Sequence, residues 1–272
     1  MLTASKLLDA RFLEHPFQHY TDTRLFYPGL AEQRRVLEQA LRFLEDRKDP
    51  GKSLGVIAGP SASGKSMLAM KLAGMDFHRD ESGGRTYGLY LNTNNYTEPR
   101  HFLMALLELL GAPSHRSNTV RLEAICERLE NSNDRLLIVL DGPPFDQEYL
   151  SFLLNWSAEN FKKIQALVFL QDINNTTANI GSLNSFLGLY LPFRSPSAVE
   201  LSAMLYWRML MSGGQTPLPL GEGRLLEIGQ EARGNLRQAL DLAREALDSQ
   251  VEANNAQESL EALRRQMPGS NG

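Results

Sequence analysis

Cysteine is nearly absent from this chain: Cys126 is the one thiol in 272 residues. A single cysteine excludes an internal disulfide, and its place in the helical pattern of residues 120–129 reads as a small buried apolar side chain. Long apolar runs are missing too. No stretch reaches the roughly 18 to 20 residues that a membrane-spanning helix needs, so no membrane insertion is expected. At the N-terminus Asp9, Arg11 and Glu14 interrupt the apolar residues, which is unlike a signal peptide, and a reducing cytoplasm is the expected compartment. Basic charge is not in excess, with 28 Lys and Arg against 32 Asp and Glu and a net charge of -4. At a pI ≈ 5.8, a broad basic face for nucleic acid is not favoured. Internal repeats and long low-complexity tracts are also lacking. What is present is an ordinary globular composition, 42% hydrophobic and 22% charged, in a length that suits one α/β domain with a smaller domain appended.

Residues 59–66 read Gly-Pro-Ser-Ala-Ser-Gly-Lys-Ser and meet every fixed position of the phosphate-loop pattern G-x-x-x-x-G-K-[ST]. Their context fits that loop. Residues 54–58 form a short apolar run suited to a buried parallel strand, and 67–73 are helix formers. Gly59 and Gly64 allow a tight turn and a close approach to a polyphosphate, with Pro60, Ser61, Ala62 and Ser63 between them. The amides from Ser61 to Met67 are then expected to face phosphate oxygens, with the positive end of the helix dipole behind them. Lys65 would reach the β- and γ-phosphates and the Ser66 hydroxyl would ligate Mg²⁺, so ATP with Mg²⁺ is the expected ligand.

Upstream, residues 2–13 suggest a short helix, and 15–29 take an irregular path enforced by Pro16, Pro28 and Gly29. The aromatics Phe17, Phe26 and Tyr27 either wall a base pocket, with Tyr27 the candidate, or anchor this segment to the core. Residues 30–45 form an amphipathic helix whose arginines alternate with Glu32, Glu38 and Glu45, a self-paired solvated face rather than a phosphate-binding stripe. After the loop come a charged connection at 76–85, a strand at 87–91, helices at 102–110 and 120–129, and the most apolar strand, 136–140. Asp141 follows directly. A carboxylate at the end of a buried strand can hold Mg²⁺ through water beside a phosphate loop, or cap the turn into Gly142 and Pro143. A fourth strand, 166–170, ends in Gln171 and Asp172, which would set a polar side chain near the γ-phosphate or the attacking water. The loop at 174–179 is polar, and a fifth strand is expected at 187–191. Beyond Pro196 the pattern is helical at 198–211, 223–232 and 235–247, with a tail from about 249 that has one short amphipathic stretch at 260–265. Strands alternating with helices at these lengths indicate a parallel sheet covered on both faces, followed by a small α-domain.

These residues, in this order, resemble the AAA+ ATPases of the ExeA (general secretion GspA) type, which share a superfamily with the MshM proteins and the transposition ATPases TnsC and TniB. The likeness is carried by Pro16-Phe17, Asp22 and Phe26-Tyr27, by the phosphate loop, by Leu91-Asn92-Thr93, by Leu170-Gln171, by Tyr206 to Leu210 with Ser212-Gly213-Gly214, and by Gly234 to Arg237. It spans about residues 10–250. It implies an α/β P-loop NTPase (AAA+) fold, a parallel sheet sandwiched by helices with a C-terminal helical lid domain. The implied divisions are a lead-in segment at 1–29, a nucleotide-binding domain at 30–195, a lid at 196–250 and a polar tail at 251–272. The stretch ending in Arg237 resembles the superfamily's second sensor, which implies an arginine reaching the γ-phosphate from the lid. The resemblance also implies ATP-dependent self-association or a protein partner.

Two departures from the family bear on activity. Where the family has a water-polarising glutamate after the metal-binding aspartate, this chain has Gly142, and Glu148 is the next such carboxylate. Where the family carries trans-acting arginines before the fifth strand, residues 182–193 have neither Lys nor Arg, and Arg194 and Arg208 are the nearest. An arginine finger is worth about 10³-fold or more in rate. The expectation is therefore an ATP- and ADP-binding switch with slow, absent or partner-completed hydrolysis. Lys65, Asp141, Gln171 and Arg237 would be its catalytic set, and Ser66 and Asp141 its metal ligands. The alternatives are a DNA-associated regulator of the transposition type, a scaffold without nucleotide, and a small-molecule kinase; the helical C-terminal region and the stretch at 234–237 favour AAA+ over the last.

Overall fold

The computed structural model describes residues 15–17, 23–45, 52–75, 85–93, 99–111, 117–132, 134–142, 155–157, 159–160, 162–171, 186–214 and 218–266. The expected helix at 2–13, most of the connection at 76–85, Glu148, Asp172 and the polar loop at 174–179 lie outside the described residues. By its internal contacts the chain divides into two units, one of Ala31–Ser195 and one of Met1–Leu30 with Pro196–Gly272.

The first unit runs α1 (Ala31–Glu45), β1 (Leu54–Ala58), α2 (Lys65–Ala73), β2 (Thr86–Asn92), α3 (Pro99–Leu109), α4 (Asn118–Ser132), β3 (Arg135–Asp141), β4 (Ile164–Leu170) and β5 (Leu187–Pro192). The five strands make one sheet in the order β2-β3-β4-β1-β5, and every neighbouring pair is parallel. Strand β1 is buried along its whole length, and β3 and β4 at all but one end residue each. Such continuous apolar strands are stable only where helices cover both faces. On one face Leu54, Val56, Leu136, Ile138, Leu140 and Val168 pack with Phe102 and Leu106 of α3 and Ile125 and Leu129 of α4. Strand alternation turns Leu137, Val139, Leu167 and Phe169 to the other face. Helix α2 packs along β2 and β3, and α1 against α2 and β5.

The second unit holds a 3-10 turn at Thr23–Leu25 and α5 (Ala198–Met211), α6 (Glu222–Ala232) and α7 (Leu236–Gln266). Its core joins Leu201, Leu205, Leu225, Ile228, Leu240 and Leu247 to Phe17 and Leu30, so part of the lead-in segment is built into the helical core. The His15 Nδ1 accepts from the Phe17 amide at 3.1 Å, which leaves Nε2 to donate to Asp248 Oδ1 at 3.3 Å. The tail expected from about residue 249 is instead the continuation of α7 to Gln266. Residues 251–266 contain neither Gly nor Pro, and their polar residues are competent helix formers, so polarity alone is no stop signal.

Helix α5 opens with a full capping box. The Ser197 Oγ accepts from the Glu200 amide at 3.3 Å, and the Ser197 amide donates to Glu200 Oε2 at 2.9 Å. Two amides with no partner inside the helix are thereby satisfied. Replacing Ser197→Ala should lower stability by about 1 kcal/mol, read as a shift in the chemical denaturation midpoint with unchanged slope.

Candidate nucleotide-binding site

The loop between β1 and α2 leaves the sheet under tight constraint. The Gly59 amide donates to the Leu170 carbonyl of β4 at 3.2 Å, and the Phe193 amide donates to Ala58 of β1 at 2.7 Å. A Cβ at residue 59 would lie 2.2 Å from the Phe193 carbonyl oxygen, so only glycine fits where the loop passes the end of β5. Further along, Ala62 (φ 53) and Gly64 (φ 101) take left-handed conformations. Alternation into that region curves successive amides around a common centre, as an anion-binding nest requires. The Ser63 Oγ donates to the Pro60 carbonyl at 2.8 Å and closes the turn from within.

Lys65 begins α2 and is only 7% exposed. Its Nζ donates to the Gly59 carbonyl at 2.9 Å, to the Pro60 carbonyl and, more weakly, to Ser63 Oγ at 3.4 Å. Burial pushes the Lys65 amine down to about 8, while the nearby Asp141 carboxylate pulls it the other way. Ser61 and Ser66 are exposed on the loop and the first turn of α2.

Because β4 lies between β1 and β3, the end of β3 comes up beside the loop. Asp141 sits there, 8% exposed, paired in register with Asn92 of β2 and Phe169 of β4. Its main-chain carbonyl accepts from the Thr93 amide at 2.9 Å, and its Oδ2 accepts from the Tyr90 hydroxyl at 2.8 Å. Burial, and then the bond to this carboxylate, raise the Tyr90 phenol above its usual range, so it is protonated and the donor. Gln171 is exposed one residue past the end of β4, between the loop strand and the Asp141 strand.

Gly142 follows with φ +133, and a Cβ there would lie 2.2 Å from Thr93 Oγ1. Tyr90 and Thr93 are the two site residues that sequence reading missed. Their one signal is a pair of hydroxyl-bearing side chains near the end of a strand, which means nothing until β2 is known to flank β3. On the other side of the loop, Arg35 donates to both Glu32 oxygens at 2.8 and 2.7 Å and to the Pro192 carbonyl at 2.6 Å. Glu32 also accepts from the Arg194 amide at 3.0 Å, so the self-paired face of α1 also fastens the exit of β5. The Arg35 hydrogen bond, and after it the Arg194 amide, hold the Glu32 carboxyl below its usual range against the opposing effect of burial.

The remaining candidates belong to the helical unit. Arg237 is exposed in the first turn of α7, after a turn in which Asn235 Oδ1 accepts from the Gln238 amide at 3.0 Å. The Tyr27 ring lies 5.6 Å from that of Trp207. Arg208 is 1% exposed within α5, which withdraws it as an arginine offered to a neighbouring subunit, whereas Arg194, which belongs to the first unit, is exposed.

The parallel sheet, the nest-bearing loop between β1 and α2, and the acidic end of β3 define a P-loop NTPase fold. Comparison with known proteins narrows the class. Residues 47–175 match the AAA domain family model. The chain is similar in structure to ORC2 of Aeropyrum pernix in its ADPNP–ADP complexes, with a TM-score of 0.66 and 20% identity over 84% of this chain and 72% of that one. It is also similar to Cdc6p of Pyrobaculum aerophilum, at 0.66 and 19% over 85% and 67%. A third likeness is to ORC1 of Aeropyrum pernix in complex with DNA, at 0.55 and 19% over 88% and 68%. No match was found among curated protein sequences. The architecture is the AAA+ fold, a five-stranded parallel sheet flanked by helices, as in the ORC and Cdc6 structures.

The lowered Lys65 pKa has a consequence for stability. Burial penalises the charged amine in the folded chain, and the penalty is fully present below about pH 8. As pH rises from about 8 toward the ordinary value of 10.5, the folded chain releases the proton first and the penalty fades. The stability of the wild type should therefore rise relative to Lys65→Met between those values, measured by chemical denaturation of both proteins at pH 7 and pH 10.

Proposed function

We propose that this chain is an ATP–Mg²⁺-binding AAA+ switch that changes its self-association or its affinity for a protein partner with nucleotide, and that it hydrolyses ATP slowly or not at all. In this reading the loop from Gly59 to Met67 cradles the phosphates, Lys65 exchanges the loop carbonyls for phosphate oxygens, and Gln171 reads the γ-phosphate. The donor set suits Mg²⁺, a hard cation that takes few protein ligands and keeps most of its water: the Ser66 hydroxyl is exposed and the Asp141 carboxylate lies close enough to act on Lys65. When bound, the ion would neutralise charge on the terminal phosphates. The resemblance to ExeA-type ATPases makes secretion, pilus or envelope assembly the process proposed.

The observation that carries the low turnover is Gly142. Residue 142 has a positive φ of +133, and the space its Cβ would take is filled by Thr93 Oγ1, 2.2 Å away. The position beside Asp141 is thus shaped against the side chain that would polarise water, which goes further than the bare absence of a glutamate. A second reading, a DNA-associated regulatory ATPase, draws on the likeness to an ORC1 described in complex with DNA, against a net charge of -4. Nucleotide-dependent DNA binding that weakens steeply with salt would favour it.

The test is calorimetry of ATP and ADP with Mg²⁺, alongside phosphate release from the same samples. Micromolar binding, on the order of −8 kcal/mol, lost in Lys65→Ala and accompanied by little phosphate release, is the expected result. Robust turnover would overturn the switch, and absence of binding would leave the scaffold. Gly142→Glu should not raise phosphate release, and it should cost about 1–3 kcal/mol of stability for a side chain at that backbone angle, read by denaturation.

A further inference from the structure

We infer that Tyr90 is the positioning residue of Asp141, and that through it β2 sets how tightly the site responds to Mg²⁺; this rests on the nucleotide reading above. Tyr90 stands opposite Val139 in the β2–β3 register, two residues short of the pair Asn92–Asp141. A phenol is long enough to cross that offset, and its hydroxyl donates to Asp141 Oδ2 at 2.8 Å. Among the described residues Tyr90 is the one side chain that hydrogen-bonds this carboxylate, because Lys65 is turned to the loop carbonyls and to Ser63. Three residues further along β2's path, the Thr93 amide holds the Asp141 main-chain carbonyl at 2.9 Å. One strand end therefore fixes both the backbone and the side chain of the aspartate.

The chemistry gives that bond a role. A carboxylate that holds a cation through water must present its free oxygen in one direction, and a carboxylate with no partner rotates. Committing Oδ2 to Tyr90 would leave Oδ1 as the oxygen turned toward a hydrated cation. Partners of this kind, which orient a metal-holding group without touching the metal, typically cost 10–100-fold in metal affinity when removed. Burial of Asp141 makes the orienting bond more valuable than the same bond in water.

The experiment is a Mg²⁺ titration of ATP binding, followed by calorimetry, in the wild type, Tyr90→Phe, Asp141→Asn and the double variant. Phenylalanine keeps the ring and its packing and removes only the donor. Tyr90→Phe should raise the Mg²⁺ concentration for half-maximal tightening about tenfold, with metal-free ATP affinity within about twofold of wild type. In the Asp141→Asn background the same change should have no further effect on the Mg²⁺ midpoint, which a merely structural tyrosine would not reproduce. A wild type that binds Mg²⁺–ATP with an unshifted Tyr90→Phe midpoint overturns the inference and leaves the nucleotide reading standing. An equal shift in the Asp141→Asn background overturns it too. A wild type that binds no ATP overturns the reading and the inference together.

Discussion

Three strand ends are tied together at Gly59. Its amide is held by the Leu170 carbonyl, the preceding Ala58 carbonyl accepts from Phe193, and the Phe193 carbonyl occupies the space a side chain would need. The loop that follows has no freedom to choose its starting direction, and the left-handed residues Ala62 and Gly64 then curl it back over the start of α2. The grip of α1 on the β5 exit, through Arg35 on Pro192 and Glu32 on the Arg194 amide, keeps that floor in place. A phosphate-binding loop depends on such fixed walls because its amides are useful only when they all converge.

The acidic side of the site is built differently. Asp141 reaches the loop because β4 separates β1 from β3 by one strand, about 10 Å of sheet. Its surroundings come from β2: Tyr90 on the carboxylate, Thr93 on the main chain and against Gly142. Hydroxyls thus line the corner around Asp141 and Gly142. A hydroxyl of this kind donates and orients well, but it does not take a proton from water at neutral pH. In the proposed switch reading, this corner would orient the carboxylate of Asp141 and offer no second carboxylate to activate a nucleophile.

Legibility followed distance along the chain. The strand β1, the loop and α2 were readable because each residue's role there depends on neighbours within about eight positions, and backbone sterics and helix propensity act at that range. Strands β3 and β4 were readable as uninterrupted apolar runs, and Asp141 as the charge that ends one of them. The continuation of α7 to Gln266 was not, because a polar helix surface and a polar tail share one composition. Tyr90 was not, because its partner lies 51 residues away, and nothing in either local pattern says which strands become neighbours.

By itself the sequence determined the kind of loop and the parallel covered sheet, since these follow from local sterics, burial and periodicity. Only the tertiary structure decided which groups face one another. The β2–β3 register brought Tyr90 and Thr93 to Asp141 and Gly142, and the burial of Arg208 removed an arginine that the sequence had left as a candidate. Strand order and register are properties of the whole sheet, fixed when the apolar faces of all five strands and their helices are buried together, and no single segment encodes them.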